Sequence, residues 1–360
     1  MDVYVLDSLF RKTEVIDNFQ DFIWTERYAD VGDFEINIQS NYVTRAQFVE
    51  GTRIAIDDSY RIMTVETINE TIDSDGKMML NVKGRSLEAI FEDRIIFNPD
   101  TFPADPSWNI IETPGNIMRI YFYETCIVGI IDTQDILPGV SSDVFTGFLP
   151  AGDIAEPSET VTFNQSIDTL LNVIKNVTNI YDLGFRLILN PEDMQLYFSV
   201  YTGNDLSNIV VFAIELDNLQ NSSYFKNTQG SKNICITFDS TQSLISLGFG
   251  VSSDVSGFDR KVTFLDARSD VADDDPDPTT TLTNLGYQEL QKYRAEYIID
   301  GEINQSGSLK YGTDYNLGDK VQLRDSDDFT TYKLITEQIF VSDAEGDRSY
   351  PTLSIKEFTG

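Results

Sequence analysis

Residues 50–83 read EGTRIAIDDSYRIMTVETINETIDSDGKMMLNVK, and residues 317–356 read LGDKVQLRDSDDFTTYKLITEQIFVSDAEGDRSYPTLSIK. The second stretch follows the plan of the first. Gly51 answers Gly318, Arg53 answers Lys320, and Ile54 and Ile56 answer Val321 and Leu323. Asp58-Ser59 answers Asp325-Ser326, and Tyr60-Arg61 answers Tyr332-Lys333. Glu66 and Ile68 answer Glu337 and Ile339, and each stretch then reaches an acidic turn ending in Gly76 or Gly346. Two short gaps hold the match together. Apolar and polar residues alternate through both stretches, which predicts strands. One β module is therefore written twice; the plainer competing reading is two generic hairpins that look alike.

The residues before the first module are strand-rich. Asp2–Leu6 alternates, with Thr13–Ile16 as a partner. Phe22–Tyr28 (FIWTERY) and Asp33–Gln39 (DFEINIQ) flank Ala-Asp-Val-Gly, a hairpin signal in which Gly32 is expected to supply a positive φ. Phe34, Ile36 and Ile38 then share one face, with Glu35 and Asn37 on the other. Thr44–Phe48 reads as a short helical turn. The first module reads as strands Arg53–Ile56, Tyr60–Thr71 and Met78–Val82. In GRSLEAIFEDRIIF (residues 84–97), Ser86 is a natural N-cap for a short helix through Leu87, Ile90 and Phe91. That helix is expected to plug one end of a β-barrel.

The middle has a different texture. Asn98–Ser107 is a proline-bearing connection, and Thr113-Pro114 starts a helix running through Met118 and Tyr121 to Cys126. Residues 132–162 read as an extended loop or short strands. Ile167, Leu170, Leu171, Ile174 and Val177 recur at helical spacing, predicting a helix over Asn164–Ile180. Phe185–Leu189 and Gln195–Tyr201 form a hairpin, completing an inserted α+β unit. From Ile209 the chain is β again, through IVVFAI, Asn233–Phe238, Leu244–Val251 and Lys261–Asp266. An acidic linker, Asp270–Pro278, leads to a helix over Thr281–Arg294, with Leu282, Leu285, Leu290 and Tyr293 on its buried side. Strand Glu296–Asn304 then precedes the second module. The fold class is mainly β with α+β insertions.

Composition narrows the chemistry. The chain has 360 residues and a formal net charge of -33, from 59 acidic and 26 basic residues. Phosphate binding needs clustered cations, so nucleic acid is disfavoured as a bound partner. The same charge suits a surface past which nucleic acid slides without sticking. There is no histidine, which removes histidine acid–base chemistry, the usual Ser-His-Asp and Cys-His systems and histidine-ligated metals. Cys126 and Cys235 lie in apolar stretches and read as buried small hydrophobes. No apolar run approaches the roughly 20 residues that span a bilayer, and MDVYVLDSLF lacks the basic and long apolar regions of a secretory signal.

Glycine-rich phosphate loops are absent, and Gly248-Phe-Gly250 reads as a strand bend. The Asp270–Pro278 patch lacks the ligand spacing of a calcium loop. Glu66, Glu88, Glu92 and Asp93 are candidates for a glycosidase pair, though so many acids give chance pairs anywhere. Tyr121-Phe-Tyr123 either lines a carbohydrate or partner surface or packs in the core, where alternating aromatics suit strands. No catalytic, cofactor-binding or metal residue is assigned.

Four segments, in order, carry a family resemblance: IWTERYADVGDFEI, KGRSLEAIFEDRII, VVFAIELDNLQNSSYFKN and YGTDYNLGDKVQL. The matching positions are Trp24, Arg27, Tyr28, Gly32 and Phe34; Gly84, Arg85, Ser86 and Leu87; and Asn218, Leu219, Tyr311, Asp314, Tyr315, Gly318 and Asp319. The chain resembles the tail-hub, or tail-tip, proteins of long-tailed phages with Gram-positive hosts, relatives of the baseplate hub of contractile phages. The resemblance runs from about residue 2 to 355 and is weakest over 98–162.

The resemblance implies two tube-like β-barrel domains per chain plus smaller accessory domains. The expected division is a first barrel over 1–97, with strands from 205–250 available to complete it; an inserted α+β domain over 98–204; a β connecting region over 205–270; and a second barrel with its preceding helix over 271–360. It implies a structural virion protein at the tail tip, assembled in the host cytoplasm, with no enzymatic activity and no cofactor. Three chains with two barrels each would form a pseudo-six-fold ring that joins the tail tube and distal tail ring to a three-fold tip and forms part of the DNA ejection channel. The implied partners are two further copies of the chain, the distal tail protein, the tape measure protein and receptor-binding, tail-fibre or spike proteins, with contact to the host cell envelope. DNA passes through without stable binding. The alternatives are a tail-associated peptidoglycan hydrolase and a host carbohydrate-binding module.

Overall fold

A computed structural model describes residues 1–72, 76–145, 158–218, 220–248, 251–271, 277–294, 296–302, 309–324 and 330–354. The turn residues 73–75, most of the acidic linker, Leu219, Phe249-Gly250 and the loop 325–329 lie outside these. The chain divides into two compact units: Met1–Ser222 with Asp300–Leu353, and a second built on Ser223–Ile299.

In chain order, the first strands are β1 (Val3–Leu6), β2 (Lys12–Ile16), β3 (Phe19–Arg27) and β4 (Asp33–Gln39). Helix α1 (Tyr42–Gln47) follows, capped by Asn41, whose side chain accepts from Val43 and Thr44. The first module supplies β5 (Arg53–Ile56), β6 (Met63–Ile72) and β7 (Met78–Ser86). Next come β8 (Ile95–Ile96), β9 (Trp108–Glu112), α2 (Pro114–Phe122), β10 (Val161–Gln165), β11 (Asp168–Thr169), α3 (Leu170–Tyr181), β12 (Gly184–Asn190), β13 (Gln195–Tyr201), β14 (Val211–Ala213) and β15 (Gln220–Asn227). In the second unit, β16 (Ile234–Phe238) lies between β17 (Ser243–Leu247) and β18 (Val262–Asp266), with α4 (Pro278–Gln291) packed on that sheet. After β19 (Glu296–Glu302), the second module supplies β20 (Lys320–Arg324), β21 (Thr330–Asp343) and β22 (Gly346–Ser354).

The two modules lie in one sheet. Its hydrogen-bonded order runs β22-β21-β3-β4-β7-β6-β5-β1-β2. Phe22, Trp24, Phe34, Ile36, Ile38, Val65, Val82 and Phe340 form one core beneath it. Among the described residues the strand pairings run in an open order, with no closed barrel within the chain. From the 205–250 stretch, β14 pairs in parallel with β20 of the second module. A second core belongs to the inserted unit, where Phe91 meets Phe122, Phe185 and Phe198 at ring-centroid distances of 5.6, 6.4 and 5.9 Å.

The backbone repeats as the sequence does. The Gly51 N–H donates to Val65 O at 2.9 Å, and Val65 N–H donates to Thr52 O at 2.8 Å. In the second module Gly318 N–H donates to Ile335 O at 2.8 Å, and Ile335 N–H donates to Asp319 O at 3.0 Å. Gly51, Gly76, Gly318 and Gly346 all take positive φ, a conformation that suits glycine. The register corrects the sequence match at more than one position. Ile54 faces Met63 as Val321 faces Lys333, so the counterpart of Lys333 is Met63, not Arg61. With Val65 in the place of Ile335, the counterpart of Glu337 is Thr67, not Glu66, and that of Ile339 is Asn69, not Ile68.

Several local expectations also change. Ser86 does not cap a helix: its hydroxyl accepts from Gly32 N–H at 2.9 Å, and Leu87–Asp93 is a 3-10 segment. That segment packs Ala89 and Phe91 into the inserted unit's core and does not plug a barrel. Gly32 does not have positive φ; glycine is required because a Cβ there would sit 2.5 Å from Thr25 O. The helix expected from Asn164 begins at Leu170, where Thr169 accepts from Asn172 N–H, and Ile167 is exposed. Helix α4 starts early, at Pro278, and Tyr293 lies beyond its end and exposed. Cys126 and Cys235 are buried free thiols, as expected.

Lys333 is fully buried, and among the described residues its ammonium has no hydrogen-bond partner. Burial pushes its pKa down to about 8 from an ordinary 10.5. Between those values the unfolded chain holds the proton that the folded chain releases, so stability rises with pH across that window and the full penalty stands below it. Lys333→Met, which installs the residue of the equivalent position, is expected to stabilise the fold by about 2 kcal/mol at neutral pH. It is also expected to flatten the rise in stability between pH 8 and 10.5, measured by urea unfolding across that range.

Candidate functional site

The residues singled out from sequence fall into two clusters and a turn. The larger cluster lies where β3, the inserted unit and the second module meet. Tyr28 follows β3 directly. Its N–H donates to Thr336 O at 2.8 Å, and its carbonyl accepts from Phe185 N–H at 3.1 Å. Its hydroxyl donates to Asp182 O at 2.9 Å and approaches Tyr201 O at 3.3 Å. The ring meets Tyr201 edge-on at 5.3 Å. Two glycines make room for it: a Cβ on Gly184 or Gly318 would stand 2.3 or 2.4 Å from the Tyr28 ring. Gly203 in turn packs on Gly318, where a Cβ would come within 2.1 Å of the backbone.

Arg27 and Asp319 reinforce this junction. Arg27 Nε donates to Glu337 Oε1 at 2.6 Å, Nη1 donates to Val31 O at 2.7 Å, and the guanidinium also pairs with Asp33. One side chain thus joins β21 to the β3–β4 hairpin. Asp319 is buried and accepts from Asn204 N–H at 2.6 Å and Asn316 N–H at 2.7 Å. Burial raises its pKa, and those two hydrogen bonds partly oppose the rise. Tyr315 is buried with its ring edge-on to Phe212 at 5.4 Å.

Glu26, Arg61 and Glu88 form a buried charged network that the sequence reading missed. Glu26 accepts from Trp24 Nε1 at 3.1 Å, from the Ser59 hydroxyl, and from the Tyr311 hydroxyl at 3.4 Å. Burial, and secondarily Glu26, raises the Tyr311 pKa. Arg61 donates to Arg27 O at 2.5 Å and Glu88 Oε1 at 3.4 Å. Glu88 Oε1 also accepts from Leu187 N–H at 2.7 Å. Burial opposes the charge on Arg61, but Glu88 and then Glu26 outweigh it, and its pKa is raised. The signals were buried charges among apolar neighbours and three widely spaced glycines, none of which names its partner.

The second cluster joins β4 to β7. Phe34 faces Gly84 in register, and a Cβ on Gly84 would lie 1.8 Å from Thr64 O and 2.7 Å from the Phe34 ring. Arg85 grips Glu66 with two hydrogen bonds, of 2.9 and 3.1 Å, and Glu92 with one of 2.8 Å. Of the four glycosidase candidates, Glu66, Glu88 and Glu92 are each paired with an arginine, and Asp93 is exposed. Asp314 stands apart in a local turn, accepting from Lys310 N–H at 2.7 Å. Tyr121 and Phe122 are core residues. Among the described residues no group of acids and cysteines is placed to hold a metal. The larger cluster brings β3, the inserted unit and the second module into contact.

A family model described as Siphovirus ReqiPepy6 Gp37-like protein matches residues 2–350. Three crystal structures share the fold. A tail protein from Neisseria meningitidis MC58 is 12% identical, with 99% of this chain and 96% of that chain covered and a TM-score of 0.58. The 43 kDa tail protein of prophage MuSo2 from Shewanella oneidensis is 14% identical, with 98% and 97% covered and a TM-score of 0.58. Prophage tail protein gp18 from Listeria monocytogenes EGD-e is 14% identical, with 100% and 96% covered and a TM-score of 0.53. No curated protein sequence matches the chain.

Gly318 and Gly76 share positive φ but differ in surroundings, since nothing lies within 4 Å of a Cβ on Gly76. Gly76→Ala is expected to cost about 1 kcal/mol from φ alone. Gly318→Ala, which also drives a methyl into Tyr28, is expected to cost about 3 kcal/mol. Chemical unfolding of the two variants checks the difference.

Proposed function

We propose a function from one premise: the chain belongs to the Siphovirus ReqiPepy6 Gp37-like family, a family of siphovirus tail proteins. On that premise it is a structural, non-catalytic virion component, and we assign it the place of a hub at the tail tip. Three chains form a ring, each contributing two modules to a tube wall, so that six modules face the six-fold tail tube while the assembly keeps three-fold symmetry toward the tip. The observation that carries this reading is the repeat: two modules with the same hydrogen-bond pattern and each with two positive-φ glycines at matching positions, laid in one sheet. A chain that must match a six-fold partner with three copies needs two equivalent faces. The open sheet fits as well, because a wall built from several chains closes only between them.

The neighbours implied by this place are the distal tail protein above, the tape measure protein within and receptor-binding or spike proteins below. The net charge of -33 suits a channel wall that repels the DNA passing it, over the roughly 8 Å that charge reaches at physiological salt. Light scattering on the purified chain tests the stoichiometry. The expected species has three times the 40.7 kDa chain mass; a dimer would contradict the hub. A duplex-DNA mobility assay at low salt is expected to show no shift.

A further inference from the structure

The two modules differ in one respect that backbone pairing exposes. Thr67–Ile72 of β6 is the counterpart of Glu337–Ser342 of β21, in step with the matched pairs Val65 and Ile335, and Gly76 and Gly346. In the second module both edges of this segment are taken. One pairs with β22, and the other pairs with β3 from Ser342↔Phe22 through Glu337↔Arg27. In the first module β7 covers one edge over the whole segment. On the other edge β5 pairs only with Met63 and Thr64. Among the described residues no strand pairs with that edge of Thr67–Ile72.

An open strand edge presents unpaired N–H and C=O groups as a template for another strand, and proteins that must avoid such pairing guard the edge with charged side chains, proline or a bulge. Thr67–Ile72 has no proline and a single charged residue, Glu70. The irregularity of this edge lies before the segment, between Val65 and Thr67. Glu70 is ion-paired with Arg45, and the preceding Glu66 with Arg85. Ile68 and Ile72 are 40% and 70% exposed, and Met78, opposite Ile72 on β7, is 41% exposed.

We propose that the Thr67–Ile72 edge is the surface on which a second copy of this chain adds a strand, in the place that β3 occupies against Glu337–Ser342. This rests on the hub reading and names the seam between its subunits. The occupant is a second copy because the chain already contains the same pairing once: β3 on β21 is the intrachain version of a contact that a quasi-equivalent ring repeats between chains. The contact is heterologous, one edge against a different strand, and such contacts close into rings when the rotation permits.

The test uses the full chain and its Ile68→Lys/Ile72→Lys variant, which changes only exposed side chains. Light scattering gives the mass of each, thermal unfolding shows whether the variant folds, and hydrogen exchange follows the wild-type amides of residues 67–72 in assembled and dissociated protein. The expected result is a wild-type assembly in which those amides exchange about 100-fold more slowly than in the monomer, and a folded variant that stays monomeric. The hydrogen-exchange arm needs no variant and stands even where the substitutions disturb folding. An assembly whose 67–72 amides exchange as fast as in the monomer would overturn the seam while leaving the hub intact. A wild-type chain that is monomeric at every concentration would overturn both.

Discussion

Hydrogen bonding between Phe22–Ser342 at one end and Arg27–Glu337 at the other ties the two ends of the chain into one sheet. Everything else in the first unit is arranged around that pairing. It brings Trp24 opposite Phe340 in the core and places Tyr28 where Gly184 and Gly318 leave room for its ring. It also sets Arg27 beside Glu337. Closing a loop of this length is entropically slow to form, so the contacts that lock it are backbone hydrogen bonds and close packing, which tolerate little variation. Three glycines with no space for a Cβ (Gly184, Gly203 and Gly318) mark that locking site.

Charge plays two separate roles. Most of the acids are solvent-exposed and paired at most with a surface arginine or lysine, where each pair contributes little. The Arg61–Glu88 pair is different: both side chains are buried, and Arg61 also donates to the Arg27 carbonyl. Such a pair adds little net stability over an apolar replacement, yet losing one partner costs about 3–5 kcal/mol. It therefore acts as a register pin between the first module and the inserted unit, where Arg61 bridges Ile188 and Leu187 N–H donates to Glu88.

The repeat, the β character and the inserted helices were legible because they rest on local signals: alternation and helical spacing. The finer register was not. Tyr60-Arg61 resembles Tyr332-Lys333 chemically, but backbone hydrogen bonds align Met63 with Lys333, and side-chain likeness does not report on strand pairing. The start of α3 was misplaced because Ile167 fits the helical period, while Thr169 supplies the actual cap. Ser86 looked like a cap, yet its hydroxyl serves Gly32, far away in sequence. The junction around Tyr28 drew in Arg27, Tyr315, Gly318 and Asp319 from the sequence reading. Its other members, Gly184, Gly203 and Tyr201, belong to segments whose proximity only the fold creates.

The central claim is that two modules in one chain serve as two equivalent positions in a larger tube wall. A cryo-electron microscopy map of the assembled protein tests it most directly, through the density flanking the open edge of β6. The expected map shows a strand running beside Thr67–Ile72 along the path that β3 takes beside Glu337–Ser342, with the two modules related by a rotation near one sixth of a turn, as six modules from three chains require. A map in which that edge faces solvent, or in which the two modules occupy unrelated positions about the axis, would contradict it.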